Sequence, residues 1–600
     1  MTTNCPRTFG RLIALAIPSV LGLLCANSAA QVVEKTVAYT GELAPGTSGD
    51  TFLNTYQPIL GNDGLVVFSA VLFDEVPGGM LADYTGIWAF ANGVLSLIVA
   101  PSAEAPGTGG ASFGILSGSS LRAISVNSGG EIAFSAPLKR DPPVTVLNDG
   151  GIWAGPVDNL TIVAREGDPA PGLDGPVFSG LGVPALSDSG RMVFEGSLRQ
   201  GVGGVDGSND TGIWVGDSLG LELLARKGDP APGTGGAKFD RFYEFPIIDA
   251  GGDASFTATL LQDGVYADES NDSGIWAFRD GAVTLVAREG DIAPGTDGAR
   301  FFDMTYVRIS TNSSGDIAFG ANLLEVPGMV DYSNNVGIWL WHDGVLGLVT
   351  REAMSAYGVS NAIFSSINDK VALNASGAVA FEAFMEPNGD TVDDSNRNGI
   401  WIYSADEQRL AAREGWDAPG LEGKIFSAFH YLLLNDLGDV LFYAQAANPG
   451  NTYGRDGIWY ARADTSEIVH IVHDGEAYDL DDHPYLEDLR YVTHLEFPAS
   501  STSIGNGRGV GLNNSRQVSL WLWTEARNFT YVNVLATVGE SPCSFADLAE
   551  PYGEIDFSDV FTYLQAFAAM ESCADLGEPY GLFDFSDIFA FLQLFGAGCP

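Results

Sequence analysis

The stretch "DTGIWVGDSLGLELLARKGDPAPGT", residues 210–234, returns almost word for word as "DSGIWAFRDGAVTLVAREGDIAPGT" from Asp272. Gly-Ile-Trp begins at Gly86, Gly151, Gly212, Gly274, Gly337, Gly399 and Gly457, at intervals of 65, 61, 62, 63, 62 and 58 residues. Recurrence at a near-constant period is the mark of a repeat architecture. A second marker keeps step upstream of each: "GNDGLVVF" from Gly61, "NSGGEIAF" from Asn127, "SDSGRMVF" from Ser187, "DAGGDASF" from Asp249, "NSSGDIAF" from Asn312, "NASGAVAF" from Asn374 and "NDLGDVLF" from Asn435. A third is a turn, "TGELAPG" from Thr40, "REGDPAPG" from Arg165, "RKGDPAPG" from Arg226, "REGDIAPG" from Arg288 and "REGWDAPG" from Arg413. It is eroded between Arg351 and Phe364. An eighth, degraded copy places Trp521 of "SLWLW" at the Gly-Ile-Trp site and "NGRGVGL" from Asn506 at the second marker.

Each unit reads as four short strands. In the unit ending at Arg226 they are Val177–Leu186, Met192–Leu198, Gly212–Gly216 and Leu221–Arg226, joined by Asp188-Ser189-Gly190 and Asp217-Ser218 turns. "GIWV" is apolar at consecutive positions, so both of its faces are expected to be buried. "LELLAR" alternates, which sets Glu222 and Arg226 on one exposed side. A central strand buried on both faces beside a half-polar outer strand is what a propeller blade needs, because blades stack face to face. In "APG" proline fixes φ and glycine accepts a positive φ. In "GIW" the glycine admits a close neighbour and the tryptophan supplies a large buried plate. Residues 31–540 are therefore expected to form an all-β β-propeller of eight four-stranded blades, with seven blades and an irregular end as the rival. "VVEKTVAYTGELAPG" has the form of an outer strand plus turn, able to complete the last blade.

The pieces "NSGGEIAF", "NSSGDIAF" and "NASGAVAF" resemble a bacterial exported tandem-repeat family named for Asn-x-x-Gly followed by Ala-Phe, of the choice-of-anchor type. The resemblance spans most of residues 40–540 and implies export and anchoring, with no activity attached.

The first thirty residues form a different segment. Arg7 and Arg11 precede an apolar run from Leu12 to Leu24, and Ser28 and Ala30 stand at the small-residue positions, so residues 1–30 read as a secretory signal peptide cut after Ala30. Cys25 lacks the small residue before it that a lipid anchor wants. No other run is long and apolar enough for a membrane span. The mature protein is expected outside the cytoplasm: extracellular, on the cell surface or periplasmic. The formal charge of −47, from 76 acidic against 29 basic residues, repels nucleic acid and anionic lipid.

The last sixty residues hold a duplicated segment. "CSFADLAEPYGEIDFSDVFTYLQAF" from Cys543 is followed by "CADLGEPYGLFDFSDIFAFLQLF" from Cys573, each an acidic loop then a helix with an apolar face. Asp547, Asp556 and Asp559 around Gly553, and Asp575, Asp584 and Asp587 around Gly581, offer the oxygen ligands that calcium prefers. Residues 541–600 resemble a dockerin of the type ending in Gly-Cys-Pro, here "GAGCP". Ala549 and Pro551 stand where that family carries Asn and Asp, and Glu550 and Glu578 are the nearby carboxylates. The resemblance implies an α-helical calcium-binding module that docks to a cohesin-like or cell-surface partner. A Cys543–Cys599 bond would staple its ends and leave Cys573 unpaired; Cys543–Cys573 is the other pairing considered.

No nucleophile elbow, P-loop, dinucleotide fingerprint or HExxH is present. Four of the six histidines, His470, His473, His483 and His494, fall near Asp474, Asp479, Asp481 and Asp482. A metal or acid–base site there has one obstacle: His-x-x-His on a regular strand points to opposite faces. The loops "DGSNDTG", "DESNDSG", "DYSNNVG" and "DDSNRNG", from Asp206, Asp268, Asp331 and Asp393, resemble the Asp-box turns of some propellers, one residue short. Side-chain capping of a turn is the reading they favour, with calcium on one rim the sharper alternative. The functional expectation is a non-catalytic binding or scaffold propeller, with a polysaccharide-active hydrolase or lyase as the alternative.

Overall fold

The computed structural model describes residues 32–73, 84–100, 102–114, 124–404, 408–451, 453–480, 489–498, 511–525 and 529–539, with positions 560, 563, 564, 588 and 592. Thr36–Leu535 form one compact unit; a second groups Met1–Lys35 with Ala536–Pro600. In the latter, Val560, Tyr563, Leu564, Ile588 and Leu592 are helical.

The larger unit is an eight-bladed propeller, with one antiparallel sheet per repeat. Blade four shows the pattern: Phe239–Ile248, Ala254–Leu260, Ser273–Arg279 and Ala282–Arg288 lie side by side in chain order. First strands of neighbouring blades touch one another, so they line the axis and the fourth strands face outward. Blades one, three and five break the first strand in two.

Seven of the eight repeats build their core from the same three rings. The Gly-Ile-Trp tryptophan meets a first-strand Phe edge-on at 4.9–5.1 Å and stacks on the second-strand Phe at 6.1–6.4 Å, in seven blades. In six of these blades its indole N–H donates to the carbonyl of the preceding turn proline, for example Trp276 to Pro232 at 3.0 Å, and in the sixth blade Trp401 donates to the Tyr357 carbonyl at the same place. That bond explains why the turn and the tryptophan recur together. The glycine before it is obligatory: a Cβ on Gly274 would lie 2.8 Å from the Ala287 carbonyl oxygen and 3.1 Å from the Trp276 ring.

The Asn-x-x-Gly marker stitches blade to blade. Asn374 Oδ1 accepts the N–H groups of Ser376 and Ala378 at 3.1 and 2.9 Å, while its Nδ2 donates to the Asn435 carbonyl of the next blade at 3.1 Å. Asn435 reaches the Asn513 carbonyl at 3.3 Å, and Asn513 reaches Gly61 of the first blade at 3.2 Å, which closes the ring. The segment Val32–Tyr39 is the outermost strand of the eighth sheet, and Thr40 N–H donates to the Tyr531 carbonyl at 3.0 Å.

The eighth repeat differs from its sequence reading. "SLWLW" lies on Gln517–Glu525, the second strand, not the Gly-Ile-Trp strand, and Asn513 rather than Asn506 is the marker asparagine. Asn506 falls outside the described residues. The glycine that would have flagged it is Arg516, which adopts φ 56° where Gly377 and Gly438 have 80° and 83°. The eroded turn at Arg351 also keeps its geometry: Ala353 N–H donates to the Phe364 carbonyl at 2.8 Å with φ 66°. Glycines 167, 228, 290 and 415 hold that place in other units, at φ 80–86°. An alanine in the left-handed region costs roughly 1 kcal/mol. Ala353→Gly is therefore expected to stabilise the protein by about that amount, read as a higher midpoint in denaturant unfolding; an unchanged or lower midpoint refutes it.

Between third and fourth strands a bulge recurs. Trp214 pairs with Leu223 and Ile213 with Ala225, skipping Leu224. One extra residue reverses the alternation. Arg226 thus shares a face with Leu223, and the expected grouping of Glu222 with Arg226 fails.

Candidate functional site

The middle of the first strand is where the repeats stop being alike. Beyond a bulge after the first-strand Phe that recurs in five blades, further bulges push the strand out of register in blades four, six and seven, at Tyr243/Ile247, Ile367/Val371 and Phe429/Tyr431. Residues in and beside these bulges face solvent on the inner edge: Arg241, Lys370, His430 and Tyr431 are exposed, with Tyr306 from the blade-five loop 67% exposed. Tyr243 and Tyr306 pack edge-on across blades four and five at 5.3 Å. Lys370 Nζ of blade six stands 5.1 Å from the Tyr431 ring centre of blade seven. Gly320 of blade five lets the blade-six strand come close, since a Cβ there would lie 2.6 Å from Asp369 Cα.

Beneath the exposed groups lie two titratable ones, buried Glu382 and half-buried Tyr443. Glu382 is 7% exposed and accepts from Asn398 Nδ2 at 2.8 Å and Asn368 Nδ2 at 3.1 Å. Burial pushes its carboxyl above the usual range against those two bonds. Tyr443 meets His430 at 5.6 Å and Tyr431 at 6.3 Å. Burial, reinforced by Asp456, lifts its phenol well above the ordinary value, so it stays protonated and able to donate. The end of the ring formed by the Asn-x-x-Gly turns is different: its asparagines are consumed by bonds within and between blades.

Sequence-selected residues fall into three groups. Asp547, Glu550, Asp556, Asp559, Asp575, Glu578, Asp584, Asp587, Cys543, Cys573 and Cys599 lie outside the described residues. The four Asp loops are described and self-satisfied. Asp268 Oδ1 accepts from Ser270 N at 3.0 Å and Ser270 Oγ at 2.6 Å, Asn271 Oδ1 accepts Asp268 N–H at 2.9 Å, and Arg288 Nε donates to the Asn271 carbonyl at 2.8 Å. The loops at Asp206, Asp331 and Asp393 repeat this, as capping requires.

The histidines form the third group. His483 lies outside the described residues, and His494 pairs with Glu496 at 2.9 Å on another strand. His470 and His473 come together, Nε2 to Nδ1 at 3.1 Å. The objection from strand alternation fails because the recurrent bulge falls between them, pairing Ile458 with Val472 and Trp459 with His470. The signal was present in every repeat, since Leu223 and Arg226 have the same spacing and the same shared face. The axial cluster left no such trace: its residues are far apart in sequence, and only the ring gathers them.

Comparisons with solved structures return matches at low identity. The β-propeller domain of the Trilobed protease from Pyrococcus furiosus aligns at 10% identity and TM-score 0.35, over 73% of this chain and 99% of that one. An acylaminoacyl peptidase from Pyrococcus horikoshii aligns at 12% and 0.34, over 70% and 52%. An oligogalacturonate lyase in complex with manganese aligns at 11% and 0.31, over 69% and 87%. One fold serves many chemistries, so these likenesses carry nothing about activity. No curated protein matches the chain. A family model does, over residues 23–339 and 324–541, which together take in the whole run of repeats. With its signature turns, rings and stitching asparagines all inside those bounds, the chain belongs to the family of unknown function DUF7453.

Proposed function

We propose that this is an exported protein that binds a polysaccharide on the inner face of blades four to seven. The observation that carries the reading is the set of exposed Tyr306, Tyr431, Arg241, Lys370 and His430 with half-buried Tyr243, which has no counterpart repeated around the ring. Sugar C–H faces pack on the electron-rich faces of aromatic rings, and cationic side chains meet sugar carboxylates. Arg241 and Lys370 are the charged groups here that would meet the carboxylates of an anionic polymer. The C-terminal segment is proposed to dock the protein through calcium held by the two acidic loops, around Asp547–Asp559 and Asp575–Asp587, to a cohesin-like or cell-surface partner.

A second reading, cleavage of the bound polymer, draws on the same place. Tyr443, kept protonated beside His430, and the buried Glu382 supply acid and base groups within one inner face. The test is retention of the mature protein on immobilised neutral and uronate-containing glycans, with released sugar measured in parallel. Retention without release supports binding, and Tyr431→Ala or Lys370→Ala is expected to weaken it about tenfold. Release abolished by His430→Ala selects cleavage. No retention on any polymer overturns both. Removal of residues 541–600 is expected to leave retention unchanged and to abolish calcium uptake.

A further inference from the structure

Blade seven breaks the repeat at three places at once, and all three meet. In blades three and four the outer strand presents a leucine opposite the tryptophan, an arginine opposite the Gly-Ile-Trp glycine, and an aspartate three residues on: Leu223, Arg226 and Asp229, then Leu285, Arg288 and Asp291. The equivalent positions of blade seven carry His470, His473 and Glu476. Among the described residues this is the one group of His, Cys, Asp or Glu placed to share an ion.

We propose that His470, His473 and Glu476 form a binding site for a first-row divalent cation of borderline softness, with Zn²⁺ the best fit. His470 Nε2 lies 3.1 Å from His473 Nδ1 and 3.7 Å from a Glu476 carboxylate oxygen, which lies 2.9 Å from His473 Nδ1. An ion holding nitrogen and oxygen ligands at about 2.0–2.1 Å in tetrahedral array sets them roughly 3.3 Å apart. The three edges bracket that separation, so little movement is needed. Two imidazoles and a carboxylate select zinc-like ions over calcium, which takes oxygen. The fourth position falls to water or an outside ligand, because no further protein donor joins the group among the described residues.

The ligands are already oriented. His470 packs edge-on against Trp459 at 5.7 Å and beneath Gly420, where a Cβ would lie 2.4 Å from its ring. Glu476 is fixed by the His473 backbone N–H at 3.0 Å, across a turn in which Gly475 takes φ 79°. The two histidine side chains are 14% and 15% exposed and Glu476 36%, so the group is sheltered yet open to solvent on one side.

The test is Zn²⁺ titration by calorimetry of the mature full-length chain, saturated with Ca²⁺ so that any calcium loops are filled, against a His470→Leu/His473→Arg variant. Those substitutions restore the residues other blades use, so the variant should fold, with an unchanged melting temperature in EDTA as the check. Expected is one equivalent of Zn²⁺ that millimolar Ca²⁺ does not displace and that the variant binds at least about 100-fold more weakly. Co²⁺ in place of Zn²⁺ should give visible absorption bands that the variant lacks. Equal Zn²⁺ uptake by both proteins, no uptake by the parent, or displacement by Ca²⁺ would overturn the proposal, and each is independent of whether a polysaccharide binds.

Discussion

Trp276→Ala is expected to cost about 3–5 kcal/mol of stability, the range for removing a large buried aromatic side chain. Trp276 is fully buried between Phe239 at 5.1 Å and Phe256 at 6.2 Å, so alanine leaves a cavity walled by two rigid rings. The same change removes the donor to the Pro232 carbonyl, 3.0 Å away, which adds the cost of a poorly satisfied acceptor. The turn and the blade core are lost together because one indole serves both. Trp276→Phe separates the two effects: it keeps a ring in the slot, forfeits the bond, and is expected to cost roughly 1–3 kcal/mol. Denaturant unfolding of the three proteins reads this directly. A Trp276→Ala cost below about 1 kcal/mol would mean that the ring triad is not what holds a blade.

Acidification from about pH 8 to about pH 5 is expected to raise the melting temperature, against the usual trend for acid. Glu166, Glu289, Glu352 and Glu414 occupy one repeated slot, each following the outer-strand arginine, and each accepts a backbone N–H or a hydroxyl of the strand beside it. Burial pushes all four carboxyls above their ordinary range, and Glu195 and Glu382 likewise. A carboxyl whose folded pKa is raised binds its proton more tightly in the folded state. Its contribution is fully present below the unfolded pKa and is lost as pH rises through the folded one. The window therefore runs from the ordinary carboxylate range upward. The opposing groups are Asp464, held down by Arg462 and Arg516, Glu476, and His470, whose imidazole burial holds below its ordinary range so that acid works against it; most other lowered aspartates are fully exposed loop residues. Relief of the −47 formal charge acts in the same direction. Scans in EDTA keep metal binding out of the comparison. A melting temperature that falls steadily from pH 8 to pH 5 would contradict the assignment, and Glu414→Gln is expected to flatten the slope.

Much of the fold could be read from the residues because each repeat states its own local rules. Gly-Ile-Trp had to be a strand buried on both faces, and Thr211–Asp217 is one. "VVEKTVAY" read as an outer strand, and Val32–Tyr39 closes the eighth sheet. The eighth blade was misassigned where Arg516 replaced the telltale glycine, since a left-handed φ is invisible when its usual residue is absent. The bulge before Ala225 was missed because a period-two pattern cannot report one added residue.

Sequence alone determined the repeating unit, its strands, its rings and its turns, because those depend on contacts within about sixty residues and are spelled out several times over. It also set the charge and the types of residue available for chemistry. Only the tertiary structure decided that the ring closes at eight, that His470 and His473 share a face, and that Tyr243 meets Tyr306 and Lys370 meets Tyr431 across neighbouring blades. The reason is geometric: closure and convergence are set by how blades rotate against one another and by where a strand slips register, and neither leaves a mark on the order of residues within one repeat.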